Sequence, residues 1–216
     1  MFKLIIFSLL FSGNLPWSDT DTLTSDSIQK RYYEIESAHI LYKISGNSEG
    51  KEELFFDEWG AKEVSIRKTK TTSVFYSVKT VQEEHTQRII LYDESYGIDL
   101  KKKIGTKTKS NSQPQNTKIK DPLRKITQSL FERNGAKKIG TEIILGKECE
   151  VFESAENKIW FWKKIPLKIV SGNKYKSKNT FEAVEMDIDI PIDSSVFSIP
   201  PLIEIFDNTD YPEVKE

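Results

Sequence analysis

The sequence predicts a mainly β domain with α: an antiparallel sheet with one helix laid against it. Three observations carry this reading: apolar residues at period two, turn-rich breaks between those runs, and one capped amphipathic segment. Val64 and Ile66 alternate with Glu63, Ser65 and Arg67. Val74, Tyr76 and Val78 alternate with Ser73, Ser77 and Lys79, and Val184, Met186, Ile188 and Ile190 with Glu185, Asp187 and Asp189. A period of two gives each strand one dry and one wet face, the pattern of antiparallel sheet. The breaks SGNSEGK at 45–51, WGAK at 59–62 and SGNK at 171–174 are turn sequences.

The exception is DPLRKITQSLFERNG, 121–135, which has Asp121 as N-cap, Pro122 at the first helical position and Gly135 as the stop. Leu123, Ile126, Leu130 and Phe131 recur at helical spacing, so 121–134 reads as a helix with one apolar stripe. Before it, 100–120 holds seven lysines and no acid. Such a loop, 101–120, reads first as a solvated connection. Its functional alternative is contact with an anionic membrane surface through Lys101, Lys102, Lys103, Lys107 and Lys109. Nucleic acid is not an expected partner, because the loop has no aromatic residues for stacking on bases and the whole chain carries a net charge of −1.

The chain of 216 residues opens MFKLIIFSLLFSGNLPWS, a single lysine followed by a short apolar run and then Gly13, Asn14 and Pro16. This is the pattern of a signal peptide over 1–18, too short to span a bilayer and without a clean cleavage triplet. It predicts export to the bacterial periplasm as a soluble protein, with no cysteine near the site for a lipid anchor. A polar lead over 19–31 and an acidic tail over 202–216 flank the expected single domain, 32–201.

Little in the sequence promises a reaction. Cys149 is the one cysteine, so neither an internal disulfide nor a cysteine metal cluster can form. Glu148 and Glu150 beside it would raise a thiol pKa, which suits a buried small residue better than a nucleophile. His39 and His85 are the two histidines, and no HExxH, G-x-S-x-G, P-loop or G-x-G-x-x-G occurs. The expectation is therefore no enzyme, no metal and no cofactor. In KIWFWKKIPLKI, 158–169, strand parity puts Trp160 and Trp162 on one face and Ile159 and Phe161 on the other. Pro166 is expected to break that strand before 167–170 resume. Sheet core or cavity wall explains the aromatic run, with membrane contact as the alternative because Trp beside Lys is interface chemistry.

Four segments together resemble a known family: YEIESAHILYKISGNSEGKEELFFDEWGAKE, YGIDLKKKIGTKTK, KKIGTEIILGKECEVFE and IWFWKKIPLKI, with IDIPIDSSVFSIPP at the end. They resemble a bacterial exported family of unknown function related to the outer-membrane lipoprotein carriers, the LolA/LolB-like superfamily. The resemblance runs over 32–201 and implies a strongly curved antiparallel half-barrel (LolA-like) with helices covering the concave side. In the carriers that concavity holds acyl chains, the helices act as a lid, and a buried arginine holds the lid. Arg67 and Arg88 are the candidates for such an arginine here.

Together with strand parity and the helix stripe, the resemblance predicts a ligand-binding wall of Leu54, Phe56, Val64, Ile66, Val74, Tyr76 and Val78. The lid would be Leu123, Ile126, Leu130 and Phe131. The expected partner is a lipid or an acylated protein, held by apolar burial at about 0.8 kcal/mol per methylene. The alternative is a packed envelope adaptor without a cavity, with 101–120 and 204–216 as its contact elements.

Overall fold

In a computed structural model the described residues are 31–76, 78–109, 135–172 and 178–209, with the side chains of Val74 and Phe75 excepted. Their strands are β1 (Ala38–Gly46), β2 (Ser48–Asp57), β3 (Lys62–Phe75), β4 (Val78–Leu91), β5 (Glu94–Asp99), β6 (Ile104–Lys109), β7 (Lys137–Ile144), β8 (Lys147–Glu153), β9 (Asn157–Trp162), β10 (Ile165–Ser171), β11 (Asn179–Ile188) and β12 (Glu204–Asp207). They form one open, curved sheet in the order β12-β6-β5-β4-β3-β2-β1-β11-β10-β9-β8-β7. Every neighbouring pair is antiparallel except β12 with β6.

The helical elements among the described residues are two short 3-10 turns, Glu58–Gly60 and Ser194–Phe197. The predicted helix 121–134 lies outside the described residues. Two expected boundaries move. The basic loop 101–120 contributes β6, and the sheet passes the expected end at 201 to include β12.

Hairpins explain how so many strands join without crossing. The β9–β10 turn is Lys163 and Lys164 with φ of 48° and 66°, and the β7–β8 turn is Leu145 and Gly146 with φ of 50° and 71°. Positive φ at both turn positions matches the right-handed twist of the flanking strands. Pro166 is therefore not the break that the sequence suggested. It lies inside β10 opposite Phe161, at a register irregularity and ahead of the β10–β11 ladder, which begins at Lys168. A residue without an N–H is tolerated where the ladder needs no donor.

Val184 corrects a second expectation. It is the extra residue where β11 shifts register against Leu41 and Tyr42, and it is exposed. The bulge changes the phase of the strand, so Phe181 and Ala183 point inward before it, and Met186 and Ile188 after it.

The core is split between the two faces of the sheet. On the face that we call the front, β1 and β2 present Ala38, Ile40, Tyr42, Ile44, Leu54 and Phe56 to Ile159, Phe161, Ile169 and Phe181 of β9–β11. The segment 32–37 docks on this cluster. Tyr33 packs on Phe56 with ring centroids 4.3 Å apart and the planes tilted by 35°, and its ring lies so close to Gly60 (φ 88°) that a Cβ there would sit 2.8 Å from it. On the back face, Val64, Ile89, Tyr96 and Ile98 of β3–β5 pack under Phe197, Val196, Ile203 and Ile205.

That second cover is the C-terminal segment. It leaves β11 at Asp189, where its N–H donates to Ser37 O at 2.8 Å. It then crosses the back of the sheet and adds β12 alongside β6 at the far edge.

Candidate functional site

The predicted wall residues do not share a surface. Leu54 and Phe56 lie on the front, fully packed in the first cluster. Leu54 pairs with Ser65 and Phe55 with Val64, so Val64 and Ile66 point to the back, beneath the C-terminal segment. Tyr76 and Val78 sit at the tip of the β3–β4 hairpin, 87% and 65% exposed. Val74 precedes that tip on β3. The lid residues Leu123, Ile126, Leu130 and Phe131 lie outside the described residues. Of the eleven named positions, the structure brings together Leu54 with Phe56, and separately Val64 with Ile66.

The seam between the two halves is polar and dry. Opposite Leu54 and Phe56, β3 offers Ser65 and Glu63, and opposite Glu52 it offers Arg67. Glu63, Ser65 and Thr69 are buried, as is Ser95 on β5. Glu52 is fully buried and accepts a charge-assisted hydrogen bond from Arg67 Nε. The Arg67 guanidinium also lies 5.3 Å from the Phe181 ring centroid.

Tyr33 Oη donates to Glu63 Oε2 at 2.9 Å, and Tyr42 Oη to Pro166 O at 3.1 Å. Burial pushes the Tyr42 phenol well above its ordinary range, and the carboxylates of Glu52 and Glu63 add to this. Of the two candidate arginines, Arg67 pairs with Glu52 in this seam, and Arg88 stands on β4 opposite the seam residue Ser65. The seam escaped the sequence reading, yet a signal was present. Glu52 falls in the same period-two register as Leu54 and Phe56, an inward-facing charge in an apolar set.

The aromatic run behaves as its parity predicts. Ile159 and Phe161 join the front core, while Trp160 and Trp162 lie on the back. Trp160 is nevertheless buried, in one apolar cluster with its cross-strand partner Val151, and long polar side chains border it. Its Nε1 donates to Glu142 Oε2 at 2.8 Å, Lys158 Nζ lies 4.6 Å from its ring centroid and Lys168 Nζ 5.5 Å. Lys147 and Lys163 flank Trp162 at 5.0 and 5.1 Å. The lysines in KIWFWKKIPLKI thus serve as a roof for indoles.

At the β9–β10 turn a polar depression of about 220 Å³ opens between Glu34, Glu148, Glu150, Trp162, Lys163 and Lys164. Among the described residues no three His, Cys, Asp or Glu side chains converge as a metal site would need. Cys149 is buried with its Sγ 3.4 Å from Lys147 O, and burial raises its thiol pKa against a lowering hydrogen bond with the Ile144 backbone.

Several of the lysines proposed for membrane contact are engaged within the sheet. Lys101 pairs with Glu83 at 3.0 Å, Lys102 with Asp99 at 3.2 Å, and Lys107 with Glu94.

The class that these features define is an open, curved, mostly antiparallel sheet with a core on each face and a C-terminal crossover. No family model and no curated protein sequence matches the chain. A solved structure of an uncharacterized conserved protein from Thermus thermophilus is similar, with a TM-score of 0.51 and 8% identity over 81% of this chain and 91% of that one. MucB aligns with a TM-score of 0.42 and 9% identity, over 78% of this chain and 59% of that one. The Thermus likeness shows a shared fold.

Proposed function

We propose that this is a non-enzymatic, exported binding protein that takes an apolar ligand, a lipid or a lipoprotein acyl chain, against the front of a LolA-like half-barrel. The observation that carries the reading is the front cluster of β1, β2 and β9–β11, a broad apolar wall of an open sheet that includes Leu54 and Phe56. The stripe Leu123, Ile126, Leu130 and Phe131 is the sequence's candidate for the element closing over it. The wall narrows the set that strand parity suggested: Val64, Ile66, Tyr76 and Val78 leave the ligand site, and Ile40, Ile44 and Phe181 enter it.

A second reading, a packed envelope adaptor, is favoured by one observation. Ile40, Phe56 and Ile159 are fully buried, as they would be in a core filled by protein alone.

Native mass spectrometry of the protein purified from cells, paired with thermal unfolding in added fatty acids, separates the two. A carrier retains lipid, and acyl ligand at a hundred times its Kd stabilises it by about 2.7 kcal/mol. A clean apo mass and an unmoved unfolding temperature would leave the adaptor standing.

A further inference from the structure

The β3–β4 hairpin projects past its neighbours. The β2–β3 ladder ends at Thr71 and the β4–β5 ladder at Thr86, whereas β3 and β4 stay paired as far as Phe75 and Val78. Four residues per strand beyond the end of β2 make an extension of about 13 Å. Its far end carries Tyr76, Val78 and Val81, exposed by 87%, 65% and 46%. Three apolar side chains within six residues of a projecting hairpin end thus lie largely in water, and exposed apolar surface at such a tip marks an interaction surface.

Charge says which surface. From 72 to 81 the one charged residue is Lys79. Behind the tip, the β5–β6 turn stands beside the hairpin shaft: Leu100 N–H donates to His85 O at 2.9 Å, and Lys101 Nζ to Glu83 Oε2 at 3.0 Å. That turn adds the exposed Lys102 and Lys103. Taken together, 68–84 and 99–103 hold six lysines against three acids, on a chain whose net charge is −1. An apolar tip containing a tyrosine, with a lysine collar a few residues behind it, matches the layering of an anionic bilayer, whose acyl boundary lies beneath its phosphates.

We infer that the tip of the β3–β4 hairpin, with Lys79 and Lys101–Lys103 as its collar, anchors this protein to an anionic lipid surface. The inference goes beyond the ligand reading and holds whether or not the front face takes an acyl chain. Tyr76 and Val78 enter the acyl boundary, Lys79 and Lys103 meet the phosphates above it, and Lys101 and Lys102 exchange their exposed pairings with Glu83 and Asp99 for the same phosphates.

The test is co-sedimentation of the whole chain with extruded vesicles of phosphatidylethanolamine and phosphatidylglycerol, against vesicles of phosphatidylcholine. The protein binds the anionic vesicles, and added salt weakens that binding. The triple variant Tyr76→Ser, Val78→Ser, Val81→Ser loses about a hundredfold in affinity, with its unfolding midpoint unchanged because these side chains are exposed. The variant Lys101→Gln, Lys102→Gln, Lys103→Gln also loses about a hundredfold on anionic vesicles. Anionic binding that survives the tip variant overturns the anchor, and equal binding to both vesicle types overturns the collar. Failure to bind either vesicle overturns the inference and makes a protein partner the occupant of the tip.

Discussion

β2 and β3 are adjacent strands of one sheet, yet they bury opposite faces. β2 sends Leu54 and Phe56 forward into the larger cluster, while β3 sends Val64 backward under the C-terminal segment. The two halves are also covered differently. On the front of the β1–β2 side, the segment containing Tyr33 and Ile35, which precedes the sheet in the chain, packs against the cluster. The back of the β3–β6 side is closed by the last stretch of the chain, ending in β12. A single sheet can thus hold two small cores, provided that the seam between them tolerates polar groups out of water. Here Glu52, Arg67 and Glu63 form that seam.

The seam is where the comparison breaks most easily. Arg67→Met takes the guanidinium from a fully buried carboxylate, and loss of one partner of a buried pair costs about 3–5 kcal/mol. The double variant Glu52→Leu, Arg67→Met removes both charges at once and returns to within about 1 kcal/mol of the parent. Urea unfolding of the two variants reads this directly. If the single and double variants are equally weak, the seam depends on packing shape more than on charge.

Ending the chain at Pro201 removes β12, Ile203 and Ile205 and exposes the β6 edge. The burial lost is worth about 2–3 kcal/mol. Hydrogen exchange locates the effect: amides of β5 and β6 speed up while those of β9–β11 stay protected. Uniform acceleration would instead make the two halves one cooperative unit. The same truncation tests the sequence reading of 202–216 as an acidic tail outside the domain. Ile205 lies so close to Gly105 that a Cβ there would stand 2.8 Å from Ile205 Cδ1.

How far the sequence could be read follows from the same contrast. Alternation is a local signal, so it located β3, most of β11 and the aromatic β9 with its two faces correctly assigned. It says nothing about which face is covered. Choosing Val64 and Ile66 as companions of Leu54 and Phe56 assumes that one side of a sheet is dry throughout, and the cover supplied by Phe197 and Ile205 comes from more than a hundred residues away. Tyr76 and Val78 misled for a different reason: the alternating run Val74, Tyr76, Val78 spans a turn, with Val74 on β3, Tyr76 in the turn at a φ of 45° and Val78 at the start of β4. Pro166 drew attention as a breaker, although the two positive-φ lysines before it make the turn.

A smaller effect probes the front core itself. Tyr42 is fully buried and its hydroxyl reaches Pro166 O on β10, the part of that strand not yet joined to β11. Tyr42→Phe keeps the ring and loses that hydrogen bond, which costs about 1 kcal/mol in thermal or urea unfolding. Because Pro166 supplies only an acceptor at this point, the lost bond has no backbone substitute, and exchange at Leu167 and Lys168 speeds up more than in β4.

The smallest effect concerns the Trp160 roof, and pH reports it. The Trp160 indole N–H, followed by Lys158, holds the Glu142 carboxyl below its ordinary range. A carboxylate depressed in the folded state contributes stability above its unfolded pKa, and that contribution is lost as pH falls through the folded value. Trp160→Phe keeps an aromatic ring on the back of β9 but removes the donor, so the Glu142 titration moves up toward the ordinary range. Stability then varies less with pH below the ordinary carboxylate range. The change is small, because Glu142 is exposed to solvent, which screens its interactions. A carbon-detected NMR titration of the Glu142 side chain reads the shift, and an unmoved midpoint would mean that Lys158 alone holds the carboxylate. That outcome would recast the indole as a neighbour of the carboxylate, held on the back of β9 by its packing with Val151 and bordered by the lysines.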